Sequence, residues 1–131
     1  LLGEARTIAV VGLSSRPGRP SLDVAAYLQE RGYRIVPVNP RETEVLGERA
    51  YPSLVDIPDD LSIDVVDVFR RAEDTPPIAR DAVTIGAKVL WLQDGIVNEE
   101  AYRIASDAGL EVIMGVCIRR TDQRLQREGT S

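Results

Sequence analysis

The run Gly12-Leu13-Ser14-Ser15-Arg16-Pro17-Gly18-Arg19-Pro20-Ser21 concentrates the chemistry of an anion cradle in one short stretch. Gly12 lets backbone approach a ligand closely, Ser14 and Ser21 supply hydroxyls, and Arg16 and Arg19 add charge. An apolar run precedes the loop and an amphipathic segment follows it. Such a loop ends at a helix N-terminus, where unpaired N–H groups and the positive end of the helix dipole favour a phosphate. The alternative is an arginine-bearing surface loop. No Gly-Lys-Ser/Thr follows, so the loop is not of the Walker A type.

A second constellation, Asn39-Pro40-Arg41, follows the next apolar run. An NAD site usually places Asp or Glu there to grip the ribose hydroxyls. An amide and a guanidinium instead suit a phosphate esterified to the ribose, at the 2′ position in NADP or the 3′ position in coenzyme A. Arg41 is either that ligand or a solvated charge. Phe69 and Arg70 close a third apolar run, where a ring or a flat guanidinium can border an adenine; Phe69 serves equally well as the last core residue of its strand. Gln93-Asp94-Gly95 forms a polar turn after a fourth run, with Gln93 able to reach the distal part of a ligand. Cys117 follows the fifth run, either as a buried thiol or as one that exchanges with a thiol-bearing ligand, helped by Arg119 and Arg120. Histidine is absent. That removes Ser-His and Cys-His pairs, and one cysteine offers no zinc set. The expectation moves from catalysis toward binding.

These segments act together only if the fold gathers them. Thr7–Val11, Tyr33–Val38, Ile63–Phe69, Lys88–Leu92 and Leu110–Met114 read as strands. A helix is predicted from Leu22, N-capped by Ser21, burying Val24, Ala25 and Leu28 and stopping at Gly32. Ser53–Pro58 reads as a helical turn, Thr75-Pro76 opens a helix that Gly86 closes, and Asn98 caps Glu99–Ala108. Pro37 would cost a ladder bond in a central strand, so the strand is expected to be leaving the sheet there. This alternation predicts a three-layer, doubly wound parallel α/β sheet, Rossmann-like, of about five strands in the order 3-2-1-4-5. Residues 1–131 are expected to form a single domain, with 118–131 as a polar tail ending in a frayed helix. The ligand crevice of such a sheet lies beyond the strands' carboxyl ends. Gly12–Ser21, Asn39–Arg41, Phe69–Arg71 and Gln93–Gly95 should therefore line it.

At 131 residues the chain suffices for this sheet, with little room for a second lobe. A net charge of −5 disfavours nucleic acid as a partner. No apolar stretch approaches the roughly 18–20 residues that span a bilayer, and no signal peptide precedes the first strand. A single cysteine suits a reducing compartment. The expected location is the cytoplasm. The abrupt opening at Leu1-Leu2-Gly3 suggests a preceding segment.

The blocks VGLSSRPGRPS, YLQERGYRIVPVNP, SLVDIPDD, VDVFR, KVLWLQDGI and AGLEVI, in this order, resemble the small stand-alone CoA-binding domain proteins. Those are similar to the CoA-binding domain of the succinyl-CoA synthetase α subunit, and the resemblance runs from about Thr7 to Leu125. It implies coenzyme A held across the crevice of a Rossmann-like sheet. Gly12, Ser14, Arg19 and Ser21 would lie near the diphosphate, and Val38, Asn39, Pro40 and Arg41 would border the adenosine and its 3′-phosphate. Phe69 and Arg70 would flank the nucleotide, and Gln93 with Gly95 would approach the pantetheine. Two departures stand out. Leu13 replaces the usual alanine, a bulk expected to narrow the loop. Gly115-Val116 replaces the usual Asp-Arg or Asn-Arg before Cys117, which removes an arginine from the thiol side. Succinyl-CoA synthetase works through a phosphohistidine on a second domain, and this chain has neither, so ligase activity is not expected. The expectation is a binder of coenzyme A or acyl-CoA acting as carrier, sensor or accessory subunit, with a protein partner or homo-oligomer left open. The rivals are an NADP-dependent oxidoreductase or redox sensor, for which no Tyr-Lys pair or histidine is placed, and a ligand-free interaction module on the same fold.

Overall fold

Five consecutive buried residues, Thr7–Val11, make β1 a strand covered on both faces, as the centre of a parallel sheet requires. The computed structural model describes residues 5–129. β1 is flanked by β2 (Arg34–Val38) and β5 (Val65–Val68), and the sheet continues through β6 (Val89–Leu92) to β7 (Glu111–Met114), with every pairing parallel. A small antiparallel hairpin, β3 (Glu44–Val45) and β4 (Glu48–Arg49), interrupts the route from β2 to β5.

Period-two alternation sends β1 side chains to opposite layers. Ile8 and Val10 join Val24, Ala25 and Leu28 of α1 (Pro20–Glu30) and Ile118 of α4 (Ile118–Gly129). Ala9 and Val11 join Ala79 and Ala82 of α2 (Thr75–Thr84) and Ala101 and Ala105 of α3 (Glu99–Asp107). Asn98 caps α3 with its side-chain oxygen on the Ala101 N–H at 2.9 Å. The three-layer, doubly wound parallel sheet is therefore present. No helix among the described residues is long and apolar enough to cross a membrane.

One placement departs from the expected 3-2-1-4-5 order. The strand near residues 63–69 lies between β1 and β6, not outside β2, so β2 forms an edge. Pro37 explains why β2 tolerates that place. It pairs with Val10 inside the strand, while its carbonyl accepts the Tyr51 N–H at 3.0 Å on the outer side. A strand residue's N–H and C=O point the same way, so the missing proline donor faces outward and costs no ladder bond. Tyr51 covers that edge as an isolated bridge to Val38, and its carbonyl accepts the Asn39 N–H at 2.9 Å.

The polar tail is also more than a frayed end. α4 docks against α1 through Asp122, which is 1% exposed. The hydroxyls of Tyr27 and Tyr33 donate to its carboxylate at 2.6 and 3.2 Å, and Arg31 Nε at 3.1 Å. Tyr33's hydroxyl is pushed up to about 12, first by burial and then by that neighbouring carboxylate. Residues 1–4 and 130–131 of the expected domain lie outside the described residues. A second buried acid, Asp67 in β5, has no hydrogen-bond partner on either oxygen among the described residues, and burial pushes its carboxyl well above the usual range.

Candidate functional site

β1, β2 and β5 end side by side, and the residues that follow them wall a cleft of about 780 Å³. Its floor is fastened by backbone: the Gly12 N–H donates to the Val38 carbonyl and the Phe69 N–H to the Val11 carbonyl, each at 2.8 Å. Gly12 has φ +88°, and a Cβ there would sit 2.5 Å from the Phe69 carbonyl oxygen and 3.0 Å from Arg70 Cδ. Only glycine fits both the angle and the contact.

From Gly12 the loop runs into α1. Ser21, expected as the N-cap, lies inside the first turn; Arg19 is the cap residue, Pro20 opens the helix, and no side chain caps it. The buried Ser21 hydroxyl instead accepts the Ser14 N–H at 3.1 Å, and the Ser14 hydroxyl accepts the Arg16 N–H at 3.1 Å. Asn39 bolts the loop to the end of β2: its Nδ2 donates to the Leu13 carbonyl at 3.0 Å while its Oδ1 accepts the Arg41 N–H at 3.0 Å. A carboxylate at this position would lack the donor.

Arg16, Arg19, Arg41 and Arg70 line the cleft, all exposed, and none forms an ion pair among the described residues. Four guanidiniums with no ion-pair partner among the described residues, a helix N-terminus and hydroxyl-bearing loop residues together favour a polyanion. The one acid in the lining, Glu42, was not legible as a site residue. Its carboxylate accepts from the Ser15 N–H at 2.8 Å and from the Ser15 hydroxyl at 2.9 Å. No motif marks this pair.

The cleft thus brings together Gly12, Ser14, Arg16, Arg19, Ser21, Asn39, Pro40, Arg41, Phe69 and Arg70. The remaining expected residues lie elsewhere. Leu13 turns its side chain into the α1-side core at 0% exposure, so its bulk does not narrow the cleft. Val38 is core on the opposite face and lines a smaller recess of about 260 Å³ that shares Pro40 and Arg70 with the main cleft. Gln93, expected near a ligand's distal end, is buried with its side-chain oxygen on the Ile118 N–H at 3.0 Å, pinning the start of α4. Gly95 sits in the turn after β6, outside the cleft lining. Cys117 is half-buried in a separate groove of about 340 Å³ that shares only Pro20 with the cleft. The two arginines expected to assist its thiol line the same groove, where each also has another partner: Arg119 lies over the Tyr27 ring and Arg120 pairs with Asp94. Gly115-Val116 has its own structural part, since the Val116 carbonyl accepts Trp91 Nε1–H at 2.7 Å.

A family model described as a CoA binding domain matches residues 6–121. The chain is similar to the uncharacterized protein YneT of Bacillus subtilis, with 47% identity over 119 residues, 91% of this chain and 87% of that one. It is 39% identical over 122 residues to the alpha subunit of the ADP-forming acetate–CoA ligase II of Pyrococcus furiosus, covering 86% of this chain but 27% of that subunit. Among solved structures, a hypothetical protein from Pyrococcus horikoshii superimposes with a TM-score of 0.91 at 42% identity, covering 95% of this chain and 87% of the other.

Proposed function

Because this chain belongs to the CoA-binding domain family, we propose that it binds coenzyme A or an acyl-CoA in the cleft at the ends of β1, β2 and β5. The observation that carries the reading is the ring of unpaired Arg16, Arg19, Arg41 and Arg70 around a glycine-floored loop that feeds a helix N-terminus. The diphosphate lies against the Ser14 side of the loop with Arg16 and Arg19, and Arg41 meets the 3′-phosphate. Pro40, Phe69 and Arg70 border the adenosine, with the Val38 recess beside it. The thiol arm leaves across Pro20, the residue that the cleft shares with the Cys117 groove.

The role proposed for the chain is that of a carrier, sensor or accessory subunit in the cytoplasm, without catalysis of its own. The much longer ligase subunit that shares this region makes a protein partner consistent with that role.

Parallel calorimetric titrations with coenzyme A, dephospho-CoA, NADP and NAD test the reading. Coenzyme A should bind tightest. Removing its 3′-phosphate or making Arg41→Ala should each cost about 1.5–3 kcal/mol, the range for a charge-assisted contact, and the two losses should not add. Preference for NADP would move the protein to the redox class. Silence with all four would leave the fold without this function.

A further inference from the structure

Glu42 stands where a ligand oxygen is expected. The Asn39 carbonyl accepts the Glu42 N–H at 3.2 Å, so the turn Asn39–Glu42 presents this side chain to the loop, and Asn39 ties the same turn to Leu13. Its carboxylate takes both donors of Ser15, the backbone N–H and the hydroxyl. It does so although four guanidiniums line the same cleft, and it forms an ion pair with none of them. Direct contact with an arginine therefore does not hold it there. Its two oxygens instead make the contacts that a phosphate makes on such a loop.

We infer that Glu42 is an intramolecular competitor that occupies part of the phosphate subsite until a ligand displaces it. The inference rests on the reading of this cleft as a phosphate site and adds a regulatory element to it. A resident carboxylate weakens every incoming anion by a similar factor, through the hydrogen bonds to be broken and through like-charge repulsion. A ligand that also engages the arginines and the nucleotide pocket still binds. Free phosphate, with only the loop to hold, stays below useful occupancy. Once displaced, Glu42 and the ligand share the positive field of the arginines.

The test compares wild type with Glu42→Gln, which keeps an acceptor for Ser15 but removes the charge. Calorimetry uses two probes, inorganic pyrophosphate and coenzyme A, and amide NMR follows Ser15. The variant should bind both probes roughly tenfold tighter, a change of about 1.4 kcal/mol. The Ser15 amide resonance should move when pyrophosphate binds to wild type. Equal or weaker pyrophosphate binding by the variant overturns the inference, and so does a Ser15 amide that ignores the ligand. Weaker coenzyme A binding by the variant also overturns it, because Glu42 would then be a supporting contact. A gain for pyrophosphate while coenzyme A binds neither protein leaves the competitor standing and refutes the coenzyme A assignment alone.

Discussion

Asp67→Leu should stabilise the protein, by an amount that grows with pH. Asp67 is 0% exposed, in register with Val10 and Trp91 at the centre of the sheet, and neither carboxyl oxygen has a partner among the described residues. Leucine has the same branching and replaces both oxygens with methyl groups. Below the unfolded-state value of about 3.9, folded and unfolded chains both hold the proton. There the exchange removes only the penalty of a buried unpaired polar group, about 1–3 kcal/mol, less roughly 1 kcal/mol for the bulkier methyls. Burial raises the folded-state pKa well above the usual range, so at higher pH the unfolded chain releases its proton while the folded chain keeps it. The unfolded state then binds fewer protons, and wild-type stability falls by about 1.4 kcal/mol per pH unit until the folded value is passed. The leucine variant lacks that slope. Urea unfolding from about pH 4 to about pH 8, followed by the fluorescence of the only tryptophan, Trp91, measures both curves. Asp67→Asn serves as a second variant: it should flatten the slope without the gain, because its amide stays unpaired. Parallel pH profiles for wild type and both variants would refute the reasoning.

Two further outcomes follow from contacts already described. Gly12→Ala drives a Cβ to 2.5 Å from the Phe69 carbonyl, so it should cost about 1–3 kcal/mol and weaken coenzyme A at least roughly tenfold; Gly18→Ala has the same φ but open space, and should cost only about 1 kcal/mol. Equal denaturation midpoints for the two variants would show that the close approach at Gly12 is unimportant. Asp122→Ala should cost about 1–3 kcal/mol by removing the carboxylate that accepts from Tyr27, Arg31 and Tyr33, and α4 amides should lose hydrogen-exchange protection before those of α1. Unchanged protection of α4 would remove Asp122 from that docking role.

The strands were legible because each is an apolar run closed by recognisable punctuation, and a parallel sheet buries such runs on both faces. Their neighbours were not, because periodicity reports which face a residue takes and never which strand lies beside it. Pro37 carried the missing information. Its lost donor suits an edge: it marks β2 itself as the edge of the sheet rather than a strand leaving it. Gln93 and Leu13 went astray for a related reason. Both belong to segments that reach the crevice, but the docking of α4 and the tight turn at Gly12 point their side chains into the core. Glu42 left no trace in the sequence because its partner, Ser15, is 27 positions away and no motif joins them. Asp122 lies in a polar segment and Asp67 in an apolar one, so neither pattern signals a buried carboxyl.

Asn39 changes the weight of the ligand argument most. In the sequence it counts by what it lacks, an acid to grip a ribose, and so points away from NAD. In the fold its amide donates to Leu13 and its oxygen receives Arg41, so the loop itself requires an asparagine whatever is bound. A residue that the scaffold requires carries little information about the ligand. The burden of discrimination therefore passes to Arg41, whose backbone is held by Asn39 while its guanidinium stays unpaired at the cleft. A guanidinium placed this way accepts a phosphate on either ribose hydroxyl. What separates coenzyme A from NADP is then the other end of the ligand, a thiol-ended pantetheine arm in one and a nicotinamide ring in the other. Pro20 lines both the cleft and the Cys117 groove, and the proposed binding mode takes the pantetheine arm across it.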